Sequence, residues 1–426
     1  MKILLINHYA GGPKYGMEFR PLYLAREWVK KGHEVTVVAA DFSHVRAHNP
    51  NLLFDGYKKI EGLKENNFKS EVIDGVHFIW CRTPSYEGNG FGRVINILVF
   101  LGRLFQMSSW LVNHFKADQI VTSSTYPMDI FPARWIQKKL GTAKLIFEVH
   151  DLWPLSPIEL GGMSKWNPFI IWVQLAEDFS YKWANKIVSI LPKTKEHMLS
   201  RGMEDAKFNY IPNAIHFDEW DAEINPDHNE FFENKMSEIK SKFDLTIAYF
   251  GTQGLANALS YYIDAAAEAQ AQNLSIAFVL VGGGPEKENL KQRALDKKIV
   301  NVYFMPPISK TEIPNAMKLA DVLYIGLQNQ ALFRFGISPN KLIDYMAAAK
   351  PILFAVESGN NPVLEANCGY SVKAEDTKAI IEGLRKIQKL SQAEREQLGK
   401  NGLVYARQNH DYRVLADKFI NEIFIT

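Results

Sequence analysis

The chain has 426 residues, 47% apolar and 23% charged, which fits about two domains of ordinary size and excludes a disordered or fibrous chain. Its 49 basic and 47 acidic residues leave a net charge of +2, so no basic bias points to nucleic acid. Two cysteines, Cys81 and Cys368, are too few for a disulfide framework and lack metal-ligand spacing, so a reducing cytoplasm is expected.

In chain order, short β-branched runs alternate with longer helical patterns. Residues 2–9 (KILLINHY) read as a first strand rather than a signal peptide, and the pair Gly11-Gly12 follows. No apolar run reaches the roughly 18 residues a membrane span needs. Over 18–31, Phe19, Leu22, Leu24, Ala25, Trp28 and Val29 are spaced for one buried helix face, with Gly32 as C-cap and EVTVVAA as the next strand. Further strands are predicted at 77–81, 119–124, 143–149 and 186–191. Residues 216–244 are polar and acid-rich, and the domain boundary is placed there. The rhythm restarts at 246–250, with strands at 276–282, 301–305, 321–327 and 351–355. The expected organisation is an N-terminal domain over 1–215, a linker or insertion over 216–244, a C-terminal domain over 245–408, and a helix in 409–426 packing back on the N-terminal domain. This is an α/β chain with two Rossmann-like halves, and ligands are expected beyond the carboxyl ends of its strands.

The segment 335–351, FGISPNKLIDYMAAAKP, is the most informative. Gly336 and Pro339 shape a loop, and Asn340 and Lys341 begin a helix whose amides and dipole favour an anion. Asp344, one turn on, suits a ribose diol, or it forms an i, i+3 ion pair on an ordinary helix. His150 and Asp151 follow the strand 143–149, where the histidine either caps its neighbour or faces a ligand. Gly11 and Gly12 suit a tight turn or the close approach of backbone to phosphate. Glu18 and Arg20 begin a helix. Residues 91–116 and 166–172 read as core helices or as apolar stretches in a membrane interface. His-Glu-x-x-His, Cys-x-x-Cys, Asp-x-Asp and Walker patterns are all missing, which argues against a metal site and an ATPase.

The 335–351 segment resembles the donor-binding signature of glycosyltransferase family 4, a Pro-Ser-Lys-like loop before Glu-Tyr-Met-Ala-Ala-Gly-Lys-Pro. Val281–Glu286 is similar to the family's Gly-Asp-Gly-Pro turn, Asn301–Pro314 to its base-binding strand, Ile211–Ile215 to its Ile-Pro-Asn-Gly, and Gly32–Val35 to its Gly-His-Glu-Val. The likeness spans nearly the whole chain. Arg82-Thr-Pro, Phe147–Pro154 and Phe335–Lys341 look most like the WbuB-like fucosaminyltransferase branch.

The resemblance implies a GT-B fold, two Rossmann-like domains with parallel sheets facing across a cleft. It implies retaining transfer of an N-acetylated hexosamine or deoxyhexosamine from a nucleotide-sugar, UDP favoured, with no metal and no cofactor required. The implied acceptor is a polyprenyl-diphosphate-linked saccharide or another glycan of surface polysaccharide synthesis, with peripheral membrane contact on the cytoplasmic side. Residue by residue, it places His150, Lys341 and Asp344 in catalysis. It places Gly11, Gly12, Gly251, Thr252, Gln253, Gly283, Pro306, Ile308, Ser338 and Asn340 at the donor, and Glu18, Arg20 and Asp151 at the acceptor. Two departures stand out. Gly336 replaces the first acid of the family's Glu-x7-Glu, and Gly251–Asn257 carries no cation. They keep open a sugar-nucleotide epimerase or an inactive nucleotide-sugar-binding homologue.

Overall fold

The computed structural model describes all residues except 17–18, 45, 51–56, 89, 222–228 and 426. It divides into two compact units, Met1–Pro212 with Tyr412–Thr426, and Asn213–Asp411.

The first unit is built on β1 (Lys2–Ile6), β2 (Glu34–Ala40), β3 (Phe68–Ile73), β4 (Val76–Cys81), β5 (Gln119–Thr122), β6 (Lys144–Val149), β7 (Lys186–Ser189) and β8 (Phe208–Tyr210). Their order is β3-β4-β2-β1-β5-β6-β7-β8, parallel except for the β3–β4 hairpin. Asp74 (φ 50°) and Gly75 (φ 80°) turn that hairpin. Asp-Gly supplies both left-handed residues of a two-residue turn, so the dipeptide marks a strand that apolar periodicity alone does not show. The order reverses between β1 and β5, which places a switch point at the carboxyl end of β1. The helix Phe91–Trp110 buries Ile97, Phe100, Leu101, Leu104 and Met107 in the core of this unit.

The second unit carries β9 (Leu245–Phe250), β10 (Ile276–Val281), β11 (Val302–Met305), β12 (Val322–Gly326), β13 (Ile352–Ala355) and β14 (Gly369–Val372), all parallel in the order β11-β10-β9-β12-β13-β14. Both faces are covered. Leu245, Ile247 and Tyr249 point to one apolar cluster, and Ala248 and Phe250 to the other, the period-two signature of a strand buried on both sides. The order reverses between β9 and β12, so the loop after β9 stands at the second switch point.

The expected linker over 216–244 is not one. Helices Phe217–Trp220 and Glu230–Lys240 bury Phe217, Trp220, Phe232, Met236 and Ile239 in the second unit's core. The acidic residues between these anchors hide an amphipathic pattern. The boundary falls instead between Pro212 and Asn213, and the second unit runs on to Asp411. Residues 412–426 belong with the first unit, where the rings of Phe419 and Phe424 lie 5.3 and 5.1 Å from that of Trp28.

Candidate functional site

In the second unit the polar groups converge on the start of the helix Asn340–Ala347. Pro339 precedes it and no side chain caps it, so its first amides remain available to an anion. The Lys341 ammonium donates to the Tyr249 hydroxyl (2.6 Å) and to Asn257 Oδ1 (3.2 Å), and lies 4.0 Å from the Tyr249 ring centre. Burial pulls its pKa down to about 7, with the Asp344 charge opposing. Burial pushes the Asp344 carboxyl up to about 7, against the pull of Lys310 and Lys341. Among the described residues no hydrogen bond reaches that carboxyl. Burial thus disfavours the charged form of both groups, which stand one turn apart.

The loops around Lys341 are held by glycine. At Gly251 (φ 134°) a Cβ would stand 2.9 Å from Lys341 Cε. The turns after β9 and β10 then interlock: Gly251 N donates to Val281 O (3.0 Å), Gln253 N to Gly283 O (2.7 Å) and Glu286 N to Gln253 O (2.9 Å). Gln253, expected at the donor phosphates, is instead fully buried and braces this junction, its Nε2 donating to Gly282 O (3.2 Å). Thr252 offers its carbonyl to Tyr249 and Asn257. Gly283 follows β10, and Pro306 and Ile308 follow β11 on the neighbouring strand end. Ser338 Oγ accepts from Asn213 N (3.0 Å), fixing the loop before the helix. Gly336 has φ 94°, a conformation that disfavours any side chain, so the missing acid is built into the backbone path.

In the first unit His150 lies just past β6. Its Nε2 is 2.9 Å from Ser123 Oγ and 3.2 Å from Glu148 Oε2. Ser123 Oγ donates to Glu148 Oε2 (2.6 Å), and Arg20 pairs with Glu148 Oε1 (2.8 Å), both partners of that pair being at most 4% exposed. Burial alone would raise the Glu148 pKa, but Arg20, His150 and Ser123 hold it well below the usual carboxylate range. Arg20 also donates to the carbonyls of Ile211 and Pro212. Arg20 therefore belongs to the interior of the first unit rather than to an exposed acceptor surface. His150 is held by Ser123 and Glu148, and Asp151, the next residue, is exposed. Glu18 lies outside the described residues. A Cβ at Gly12 would stand 2.6 Å from Leu22 Cδ2, so its glycine serves packing against the helix Arg20–Lys30. Gly11, beside it, is buried.

Sequence reasoning does not bring out Tyr249, Asn257 or Ser123, whose signals are polar residues at strand carboxyl ends. Asp129, at the end of the short helix Pro127–Asp129, is a fourth. Burial raises its pKa to about 7, and its Oδ1 has no partner among the described residues. The described residues contain no cluster of three or more metal-ligating side chains.

Residues 15–214 match the family model described as glycosyl transferase 4-like domain, and residues 232–404 that of glycosyl transferases group 1. WcaI of Escherichia coli K12, a glycosyl transferase named for colanic acid biosynthesis, is 23% identical over 419 residues, 93% of each chain. Among solved structures, Anabaena HepE in complex with UDP and glucose covers all of both chains with a TM-score of 0.64 at 14% identity. WaaG, a glycosyltransferase involved in lipopolysaccharide biosynthesis, does so at 0.62 and 16%. The E. coli protein solved with UDP-2-fluoro glucose covers 100% of this chain and 99% of its own at 0.68 and 11%. The fold is GT-B, two Rossmann-like α/β domains. The two family models together take in most of the chain, one in each unit, and the chain belongs to the GT-B glycosyltransferases.

Proposed function

We propose that the chain moves a sugar from a nucleoside diphosphate sugar with retention of anomeric configuration, and that the second unit holds the nucleotide. The observation that carries this reading is the start of the helix Asn340–Ala347, where Lys341 and uncapped amides stand one turn from the Asp344 carboxylate, which no hydrogen bond reaches among the described residues. Breaking a sugar–phosphate bond leaves negative charge on the diphosphate, which a cation and aimed amides stabilise. A carboxylate beside them suits the two hydroxyls of a ribose. With Gly336 at the first acidic position, that stabilisation rests on Lys341 and backbone amides.

UDP is the favoured nucleotide, because solved relatives of this fold hold UDP or UDP-glucose. The sugar is an N-acetylated hexosamine or deoxyhexosamine, as in the WbuB-like branch that the 147–154 and 335–341 segments resemble. The acceptor is a lipid-linked or other saccharide of surface polysaccharide assembly, a reading supported by the names of WcaI and WaaG. His150 serves the donor sugar and Asp151 the acceptor.

Peripheral contact with the inner face of a bacterial inner membrane fits the first unit's surface. The stretch 91–115 is long and apolar enough to cross a membrane, yet 44% of its most apolar window is buried within the protein. Its exposed Phe91, Ile95, Leu98 and Phe105 recur at helical spacing, and Trp166, Ile171 and Leu175 are exposed as well.

A thermal-shift panel of UDP, GDP and their N-acetylhexosamine and deoxyhexosamine sugars tests the reading. A binding sugar nucleotide raises the melting temperature of the native chain, and the Lys341→Ala chain shows little of that rise. An equal rise in both chains removes Lys341 from the site. Release of free UDP on adding a glycan acceptor separates transfer from epimerisation and from mere binding.

A further inference from the structure

Two of the three N–H bonds of the Lys341 ammonium are already committed, to the Tyr249 hydroxyl oxygen at 2.6 Å and to Asn257 Oδ1 at 3.2 Å. Both acceptors are tied to one carbonyl. The Tyr249 hydroxyl donates to Thr252 O (2.6 Å), and Asn257 Nδ2 donates to the same oxygen (3.1 Å). The hydroxyl proton is therefore spent on Thr252, and the hydroxyl oxygen is left to accept from the lysine. The Asn257 amide is oriented by the same logic. Turned over, it would set its NH2 against the ammonium and its oxygen against the carbonyl. The four groups close a ring that draws on β9, the turn after it and the helix Asn340–Ala347. Gly251 confines the lysine stem, since a Cβ there would stand 2.9 Å from Lys341 Cε and 3.1 Å from Nζ.

Every partner in that ring is neutral. Burial pushes the Tyr249 pKa upward, so the residue is a phenol and not a phenolate. Asn257 carries no charge, and the face of the Tyr249 ring lies 4.0 Å from the ammonium. These groups replace part of the water that burial removes but cancel none of the positive charge. Buried charges are ordinarily paired with a counter-charge. Here the Asp344 carboxyl, on the same helix, acts only at a distance, and Lys310 acts on Asp344 in turn. We propose that Tyr249 and Asn257 are positioning residues that hold the Lys341 ammonium charged but uncompensated, with its third N–H directed at a phosphate oxygen of the nucleotide. This rests on the reading of the second unit as the nucleotide site. A lysine held in this way takes an anion in preference to a neutral hydroxyl. The device works only while the amine is protonated, so alkali abolishes it.

Lys341 can be followed directly, with UDP binding measured beside it. In the full chain labelled with 13C-lysine, the signal missing from the Lys341→Met chain is that of Lys341. Taking an acceptor from an ammonium disfavours its charged form, so the Lys341 titration is expected to move to lower pH by about half a unit or more in Tyr249→Phe and in Asn257→Ala. Asn257 is half-buried on a loop, so its variant is expected to fold even where Tyr249→Phe does not. Calorimetry between pH 6 and 10 reads the affinity for UDP. The native chain is expected to bind UDP more weakly as pH rises through the Lys341 titration, and Lys341→Met to bind weakly at every pH. At pH 8 the two positioning variants are expected to bind UDP about 3- to 10-fold more weakly than the native chain, the alkaline fall moving with the lysine titration. The titration of UDP itself is common to all the chains and cancels in the comparison. Binding weakened by one factor at every pH, with the lysine titration unmoved, makes Tyr249 and Asn257 supports of the loop alone and overturns the proposal. So does an unchanged affinity. If the titration moves as stated but UDP does not bind the native chain at any pH, the nucleotide reading fails while the assignment of the two residues to the ammonium stands.

Discussion

Lys341 and Asp344 are folded at a cost to the protein, and the cost has a definite pH dependence. The Lys341 pKa falls from 10.5 to about 7 on folding. Between those values the unfolded chain binds the extra proton, so this group's contribution makes stability rise with pH from about 7 to 10.5. Asp344 runs the other way, from 3.8 up to about 7. There the folded chain binds the extra proton, and its contribution makes stability fall as pH rises through that window. Replacing Lys341 with Met keeps the stem and leaves the Tyr249 hydroxyl still donating to Thr252 O (2.6 Å). Lys341→Met is therefore expected to stabilise the chain at pH 7 by about 1–2 kcal/mol, a gain that vanishes toward pH 10.5. The same chain should bind UDP about 10- to 100-fold more weakly, the worth of one charge-assisted hydrogen bond. Urea titrations at pH 7 and 10 and UDP calorimetry check both. A variant that is less stable at pH 7 would mean that the ammonium holds the loops together. Lys341 and Asp344 are legible in sequence because their spacing and the preceding Pro339 are local. Tyr249 and Asn257 are not, because they lie 92 and 84 residues away along the chain and only the β9–β12 switch point brings them near.

At the scale of elements, the two interlocked turns after β9 and β10 form the floor of the candidate nucleotide site. Gly284 has φ 146°, and a Cβ there would lie 2.4 Å from Gln253 O; at Gly283 the nearest atom is Pro307 Cγ at 3.6 Å, ordinary contact. Gly284→Ala is expected to cost about 2 kcal/mol or more and to abolish nucleotide binding, whereas Gly283→Ala folds with nearly native stability. Chemical denaturation of the two chains side by side checks this; equal stabilities would mean that the backbone adjusts without strain. Seen from the sequence, the glycine run 282–284 announces a turn but not which glycine is indispensable, since that depends on the approach of Gln253 from another strand. Long apolar strands such as β9 and β10 are legible because both faces are buried. The edge strands β8 (FNY) and β14 (GYSV) are mostly half-buried and mix polar with apolar residues, so no apolar run marks them, and the helix Glu230–Lys240 is masked by its acidic face.

The alternation of strands and helices in each half is a property of the whole chain, which is why the two-domain α/β class can be read from sequence while the packing of Phe217, Trp220, Phe232, Met236 and Ile239 into the second unit's core cannot. The residue that assigns the last segment to the first unit is Trp28, fully buried against Phe419 and Phe424, with Ile423 also in the core. Removing residues 412–426 uncovers these contacts. At roughly 1.5–3 kcal/mol for each large apolar side chain, the loss of Phe419, Ile423 and Phe424 amounts to about 5 kcal/mol or more, comparable with the whole stability of many domains. Hydrogen exchange followed by mass spectrometry separates the two units within one experiment. In the chain ended at Asp411, exchange should quicken in the helix Arg20–Lys30 and in β1 and β2, while β9 to β13 stay as protected as in the full chain. Added UDP should slow exchange at 251–258, 282–286 and 340–347 in both chains, because every group assigned to the nucleotide belongs to the second unit. Protection by UDP that disappears with residues 412–426 would show that nucleotide binding depends on the first unit, and the assignment of the nucleotide to the second unit alone would fail.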